Sequence, residues 1–296
     1  QHRVASALYV IGPARFNKPL PLPEPRKPFF GNAGLSRELA QARNAFYADV
    51  AVLAFPSPTD ESRLADAEEK ALYVRAPYTS RPGVKPYLAA PATHAEFPAG
   101  AITPRDGVVD LTDHLAKDGR LTWDVPAGHW TILRFGRRNT GANTRPAPQP
   151  GLGLESDKFD SAALDAHFDA FVGKLLRTIG PRPIDRTRGW TMLHIDSWEM
   201  GAQNWTAGFR REFQRRRGYD PLPYLPAMTG RVIESLEVSE RFLWDLRQTA
   251  QELIIENHAE HLKRLGRRHG FGLSIEPYDM NPTSDMTLGS VADVPM

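Results

Sequence analysis

Two short apolar runs that each break off into acid place the tightest limit on what this chain can fold into. Residues 190–199 read WTMLHIDSWE and residues 271–279 read FGLSIEPYD. Each apolar stretch is too short for a stable helix and is stopped by charge. Each therefore reads as a buried strand that delivers carboxylates to one end of a sheet. Between the two runs the period is helical. Phe209 and Phe213 mark a helix at about 206–217, ended by Gly218. Phe242, Leu243, Leu246, Leu253, Ile254, Leu262 and Leu265 line one face of a longer helix from about 239 to 268, ended by Gly270. An earlier helix over 161–179 puts Leu164, Phe168, Phe171, Val172, Leu175, Leu176 and Ile179 on one face, with Gly180 and Pro181 as its stop. Helix, strand ending in acid, helices, strand ending in acid is the order of βα units. It fits part of a (β/α) barrel, a fold whose chemistry sits at the carboxyl ends of its strands.

The first half is organised differently. Residues 12–28 carry Pro13, Pro19, Pro21, Pro23, Pro25 and Pro28, which predicts an extended surface segment rather than a regular element. A modest helix follows over 35–47 with Ser36 as its N-cap, then a buried strand over 48–55 closed by Pro56. Three strand-like runs at 107–112, 120–125 and 129–135 are separated by turn signals at Asp118-Gly119 and at residues 126–128. The expected division is an N-terminal extended segment with part of the barrel over 1–82. A β-rich, sandwich-like module and linker follow over 83–150, then the barrel portion over 151–296.

Composition narrows the function classes. The 296 residues are 41% hydrophobic and 24% charged, ordinary values for a globular protein, and the formal net charge of +2 supplies no global field for nucleic acid. The arginine-rich run at 210–217 shares its helix with Phe209 and Phe213, so it reads as a solvated face. There is no cysteine, which excludes thiolate chemistry and cysteine-based zinc sites. No apolar run reaches 18 residues, so no membrane span is expected. No G-x-S-x-G, P-loop or G-x-G-x-x-G pattern occurs, which argues against serine hydrolases, nucleotide hydrolases and dinucleotide enzymes. The chain starts at Gln1 and stops at Met296 without terminal signals, and both ends read as cut.

Asp196 and Glu199 lie three apart just past the first acid-ended strand, with Trp198 between them. A carboxyl there can serve as a general acid if its surroundings raise its pKa, and a neighbouring indole and a second carboxylate both push that way. The bland alternative is a helix cap at Asp196 and an arginine partner for Glu199. Glu276 and Asp279 repeat the spacing at the next strand, beside Tyr278, and suit sugar hydroxyls or a hard cation such as calcium. Glu155, Asp157 and Lys158 form a mixed cluster before the 161–179 helix, where Asp157 or Asp160 is a candidate cap. His194, inside the apolar run, reads as a core histidine. His258 and His261 read as exposed helix residues. Acids beside tryptophans are the equipment of carbohydrate sites, where a flat ring covers the apolar face of a sugar.

Taken in order, several segments resemble the bacterial α-L-rhamnosidases of glycoside hydrolase family 106. They are FYADVAVLAFP (46–56), GRLTWDVPAG (119–128), NTRPAP (143–148), GLESDK (153–158), DSWEMGAQNW (196–205), RGYDP (217–221) and SERFLWD (239–245). The resemblance implies a catalytic (β/α)8 barrel joined to β-sandwich modules. It implies hydrolysis of terminal, non-reducing α-L-rhamnose with inversion. Glu199 would be the general acid and Asp196 its acidic partner, with Trp198, Asn204, Trp205, Glu155, Asp157, Lys158, Glu276, Tyr278 and Asp279 around the substrate. It also implies a calcium ion whose ligands are not assigned, and a periplasmic or secreted location. Family members are much longer, and their general base is expected beyond Met296, so a piece of this length is expected to be inactive alone. Other readings are a barrel glycosidase of β-galactosidase type and a non-catalytic carbohydrate-binding protein, in which Glu199→Gln would leave function intact.

Overall fold

A computed structural model describes residues 1–26, 36–74, 97–144, 147, 151–180, 189–198, 202–278 and 282–296. Its strands are β1 (His2–Pro19), β2 (Ala48–Pro56), β3 (Ile102–Thr103), β4 (Val109–Asp110), β5 (Arg120–Arg138), β6 (Met192–Ile195), β7 (Val232–Ile233), β8 (Gly272–Ile275) and β9 (Val294–Pro295). The helices are α1 (Arg37–Ala45), α2 (Ala67–Lys70), α3 (Ser161–Phe168), α4 (Lys174–Ile179), α5 (Phe209–Arg217), α6 (Leu236–Ile254), α7 (Glu260–Arg268) and α8 (Asp285–Gly289). Together they make a mixed α/β architecture.

One antiparallel sheet runs in the order β1-β5-β2-β4. It crosses the boundary expected at residue 82, because β1 and β2 pair directly with β5. The proline-rich start is also more regular than expected. Residues 12–19 belong to β1, an edge strand, where a missing N–H costs no ladder bond. The runs at 120–125 and 129–135 are one strand rather than two. The chain does not turn at residues 126–128; the ribbon absorbs the irregularity as a register shift between Gly12 and Ala14 on β1. The continuous apolar run of β2 has a plain cause: the sheet is covered on both faces. Leu53, Phe55, Leu133 and Phe135 join the large core with Phe209, Phe213, Phe242 and Leu246, whereas Val52, Ala54 and Ile132 join Phe16, Leu111, Leu121 and Trp123.

The second half follows βα order. Strands β6, β8 and β9 are parallel, and their spatial order repeats their chain order. The stretch from β6 to β8 carries α5, α6 and α7, and α8 leads from β8 to β9. Ser235 caps α6, its side chain accepting from the Val238 N–H at 3.1 Å, so the helix starts three residues before the expected 239; Asp160 caps α3 in the same way at 3.0 Å. Gly218 ends α5 in the left-handed region at φ 82°.

Among the described residues, two helices contain a π turn, at Asp169–Gly173 after α3 and at Ile255–Ala259 between α6 and α7. The first shifts the phase of the helical face. Leu164, Phe168 and Val172 are buried, but Phe171 and Ile179, expected inward, are 59% and 61% exposed. The basic run also departs from expectation. Arg216 and Arg217 are covered and bind Glu252 and Glu256 of the neighbouring helical stretch, while Arg211 and Arg215 remain in solvent. Phe209 and Phe213 draw α5 so close to α6 that two of its arginines meet that helix rather than water.

Candidate active site

Strand alternation builds the site. Leu193 and Ile195 of β6, and Leu273 and Ile275 of β8, point into the core. Gly266 of α7 sits where a Cβ would come within 3.0 Å of Leu193 Cδ1, so the helix packs closely on this face of the sheet. With a side-chain period of two, His194 and Asp196 fall on the opposite face, as do Ser274 and Glu276. The register pairs His194 with Ser274. The core histidine expected inside the run is therefore a face residue, 43% exposed, with Asp196 beside it at 70%.

Asp196 and Glu276 meet at the carboxyl ends of two adjacent parallel strands. The Glu276 N–H donates to the Ile195 carbonyl at 2.9 Å, continuing the ladder by one residue. The Ser197 N–H donates to Asp196 Oδ1 at 3.0 Å and lies 3.4 Å from Glu276 Oε2, so one amide touches both carboxylates. Tyr278 is exposed two residues further on. Glu199 and Asp279 lie outside the described residues.

A second group lies beside Trp198. The Lys158 ammonium donates to Glu155 Oε2 at 2.6 Å and stands 4.4 Å from the centre of the Trp198 ring. Gln203 ties the group together: its amide donates to Asp157 Oδ1, and its carbonyl accepts from the Lys158 N–H at 3.2 Å. Asp157 also accepts from the Phe159 N–H at 3.0 Å. Glu155, Ser156, Asp157, Trp198 and Gln203 share the lining of a cavity of about 100 Å³ with Gln1 and Thr140. The structure thus brings together Glu155, Asp157, Lys158 and Trp198, and Trp198 follows Asp196 by two residues.

Asn204 and Trp205 go elsewhere. Asn204 is fully buried; its amide donates to the Ala71 carbonyl at 2.8 Å and its side-chain oxygen accepts from the Arg3 N–H at 2.7 Å. Trp205 is buried against Phe209, with ring centres 4.7 Å apart. Both join the β1 end of the sheet and the helical core rather than the carboxylate pair.

His258 and His261, expected in solvent, are both engaged. His261 Nε2 binds Asp165 at 2.7 Å. His258 sits in the π turn with Nδ1 buried and, among the described residues, without a hydrogen-bond partner. Burial pushes it down to about 3, with the positive charge of Lys158 and then His167 adding to the effect. Sequence reasoning did not single out Gln203, although it lies within the quoted segment 196–205, and placed His194 on the wrong face. The alternation of Leu193, His194 and Ile195 was the available signal.

Comparisons with known proteins agree on the class. The family model Glyco_hydro_106, described as "alpha-L-rhamnosidase", matches residues 1–296. A protein of Formosa agariphila named "Putative beta-glucuronidase" is 36% identical over 270 residues, which is 90% of this chain and 22% of that protein. A rhamnosidase structure from Novosphingobium sp. PP1Y shares the fold with a TM-score of 0.69 at 23% identity, over 99% of this chain and 38% of that one. The chain therefore spans about a fifth of the curated relative and well under half of the solved structure. Among the described residues no helix is long and apolar enough to cross a membrane.

Proposed function

The chain belongs to the alpha-L-rhamnosidase family of glycoside hydrolases, and on that premise we propose that the protein removes terminal α-L-rhamnose from a carbohydrate, with Glu199 as the general acid. The observation that carries this reading is the pair Asp196 and Glu276 at the carboxyl ends of neighbouring parallel strands. Strands in sequential parallel order with helices between them are what a (β/α)8 barrel requires, and strand ends are where such barrels work. We propose that β6, β8 and β9 are part of that barrel.

In the proposed reaction Glu199 protonates the departing glycosidic oxygen while water attacks the opposite face of the sugar. Inversion needs a second carboxylate roughly 6.5–9.5 Å from the first, with room for that water. We place this base on sequence beyond Met296. Asp196, three residues before Glu199 in the sequence, is its acidic partner in this proposal. Trp198, with Lys158 over its ring, walls the cavity at the same strand end.

A uronide substrate is a second reading, favoured by the name of the Formosa relative. It fits this site less well. A uronate carboxylate wants a free cation, and Lys158 is already bound to Glu155. The discriminating experiment is a panel of p-nitrophenyl glycosides on the full-length protein. Cleavage of the α-L-rhamnoside with little turnover of the β-glucuronide supports the proposal; the reverse preference overturns it.

Calcium is part of the proposal for the whole protein. Calcium takes six to eight oxygen ligands. Among the described residues no three acidic or histidine side chains converge on one point, so these residues alone do not make such a cage. No step above is routed through the ion. The proposal expects a chelator to weaken turnover of the full-length protein and added calcium to restore it.

A further inference from the structure

We infer that the sheet face carrying Tyr9, Arg63 and Arg231 binds an acidic polysaccharide, with the two guanidiniums on a carboxylate or sulfate group and the Tyr9 ring against the sugar that bears it. The choice of a glycan rests on the glycosidase reading above. The anion site itself rests on the residues around Arg231, which take no part in that reading.

Pairing across three strands builds the face. Phe55 of β2 pairs with Thr131 of β5, and Thr131 pairs with Tyr9 of β1. Paired residues of antiparallel strands share a face, so the three side chains form one row. Phe55 and Thr131 are buried, whereas Tyr9 is 67% exposed, and Ile11, two residues on along the same strand, is 68% exposed. The Arg231 guanidinium lies 5.6 Å from the centre of the Phe55 ring, at the buried end of the row. Thr229, which holds Arg231, also lines a cavity of about 230 Å³ with Ala5, Ala67 and Tyr73, and Ala5 shares the Tyr9 face of β1.

Arg231 is a buried charge whose neighbours include no acid. It is 7% exposed. Its Nη1 donates to Thr229 Oγ1 at 2.7 Å, and its buried Nε has no hydrogen-bond partner among the described residues. Burial, and then the charge of Arg63, push the guanidinium down from its ordinary value, and only the Tyr9 phenol acts the other way. Arg63 is exposed, with Nη1 donating to the Ser62 carbonyl at 3.2 Å. Asp60 feels the charge of Arg63, but its Oδ1 accepts from the Ser62 N–H at 2.7 Å, and among the described residues no ion pair joins either arginine to an acid. Gly230 lets the two arginines come together, because a Cβ there would already touch Arg63 Cβ at 3.4 Å.

A buried guanidinium is costly unless an anion reaches it. Its planar fork, beside a second cation, suits an oxyanion held through two N–H groups. A phenol ring standing in solvent beside it suits the apolar face of a pyranose. An acidic sugar residue supplies both at once. An acidic side chain of another protein supplies the anion and leaves the ring unused, so polyglutamate is the competing probe.

The experiment is affinity electrophoresis of the full-length protein through gels holding polygalacturonate, dextran sulfate, neutral dextran or polyglutamate. Wild type should be retarded by polygalacturonate or dextran sulfate and not by dextran, and the stronger of the two identifies the group. Tyr9→Ala and Arg63→Ala should each raise the dissociation constant about tenfold and leave turnover of p-nitrophenyl α-L-rhamnoside within about twofold. Arg231→Met keeps an apolar stem against Phe55 and drops the charge. It should weaken glycan binding by a similar factor with an unchanged or higher melting temperature. An arginine kept for packing alone would do the opposite, lowering the melting temperature and sparing binding. Equal migration in acidic and neutral gels, or retardation that survives both Tyr9→Ala and Arg63→Ala, overturns the inference. Retardation by polyglutamate as strong as by the glycans, and indifferent to Tyr9→Ala, assigns the face to an acidic peptide and overturns it as well. Rhamnoside cleavage without acidic-glycan binding overturns this inference and spares the glycosidase reading. Binding without cleavage of any rhamnoside overturns that reading and leaves the anion site standing.

Discussion

At the scale of single residues, polar groups in this chain sort by which face of a strand or helix carries them, and residue type alone does not reveal that face. His194 looked like core because its neighbours are apolar, yet the alternation with Leu193 and Ile195 puts it on the open face with Asp196. Asn204 is placed near the substrate by the family resemblance, yet its side-chain amide is taken up by the Arg3 N–H and the Ala71 carbonyl. Both Asn204 contacts are more than 130 residues away in the chain, so no local pattern could announce them. His258 yields a prediction with a definite sign. Its folded value lies near 3, below the ordinary histidine value of 6.5. As pH falls below about 6.5 the unfolded chain takes up a proton that the folded chain refuses, so stability is full above that value and declines below it. The loss from pH 6.5 to pH 5 is expected to be roughly 1.5–2 kcal/mol. Urea melts across that window should show it for the wild type and a flatter profile for His258→Gln. An equally steep profile in the variant would assign the loss to other groups.

At the scale of elements, the acid-ended strands, the caps at Ser36 and Asp160, the stop at Gly218 and the apolar strand β2 were all legible, because each depends on a few consecutive residues. The long ribbon was not. Residues 12–19 carry prolines that argue against a strand, and residues 126–128 carry the signature of a turn; only the pairing of β1 with β5 across more than 100 residues overrides both. The two π turns were equally hidden, since one inserted residue leaves the apolar period nearly intact while rotating the later face. The crossing point of the ribbon can be tested. A Cβ on Gly12 would lie 1.9 Å from the Pro126 carbonyl oxygen, which belongs to the partner strand's backbone and has little freedom to retreat. Gly12→Ala is expected to cost on the order of 3 kcal/mol, read as a fall in the denaturation midpoint. A neutral substitution would mean that the two strands do not approach this closely.

At the scale of the whole molecule, the β half and the βα half share one core: Leu53 and Phe55 of the sheet pack in the same cluster as Phe242 and Leu246 of α6. That continuity explains why the expected division at residue 82 does not separate the sheet, and why family segments are spread along the full length of the chain. Family membership was legible for that same reason, through the order of many weak motifs rather than any strong one. We propose that Glu199, four residues past the end of β6 in the sequence, protonates the leaving oxygen of a rhamnoside. A general acid matters most when the leaving group is poor, so its removal should depend on the substrate. The most direct measurement is turnover of the full-length Glu199→Gln protein on two rhamnosides, one with the p-nitrophenyl leaving group and one with a sugar leaving group. The expected result is a loss of about a thousandfold or more on the sugar-linked substrate and a much smaller loss on the nitrophenyl one. Equal turnover of the variant and the wild type on both substrates would contradict it.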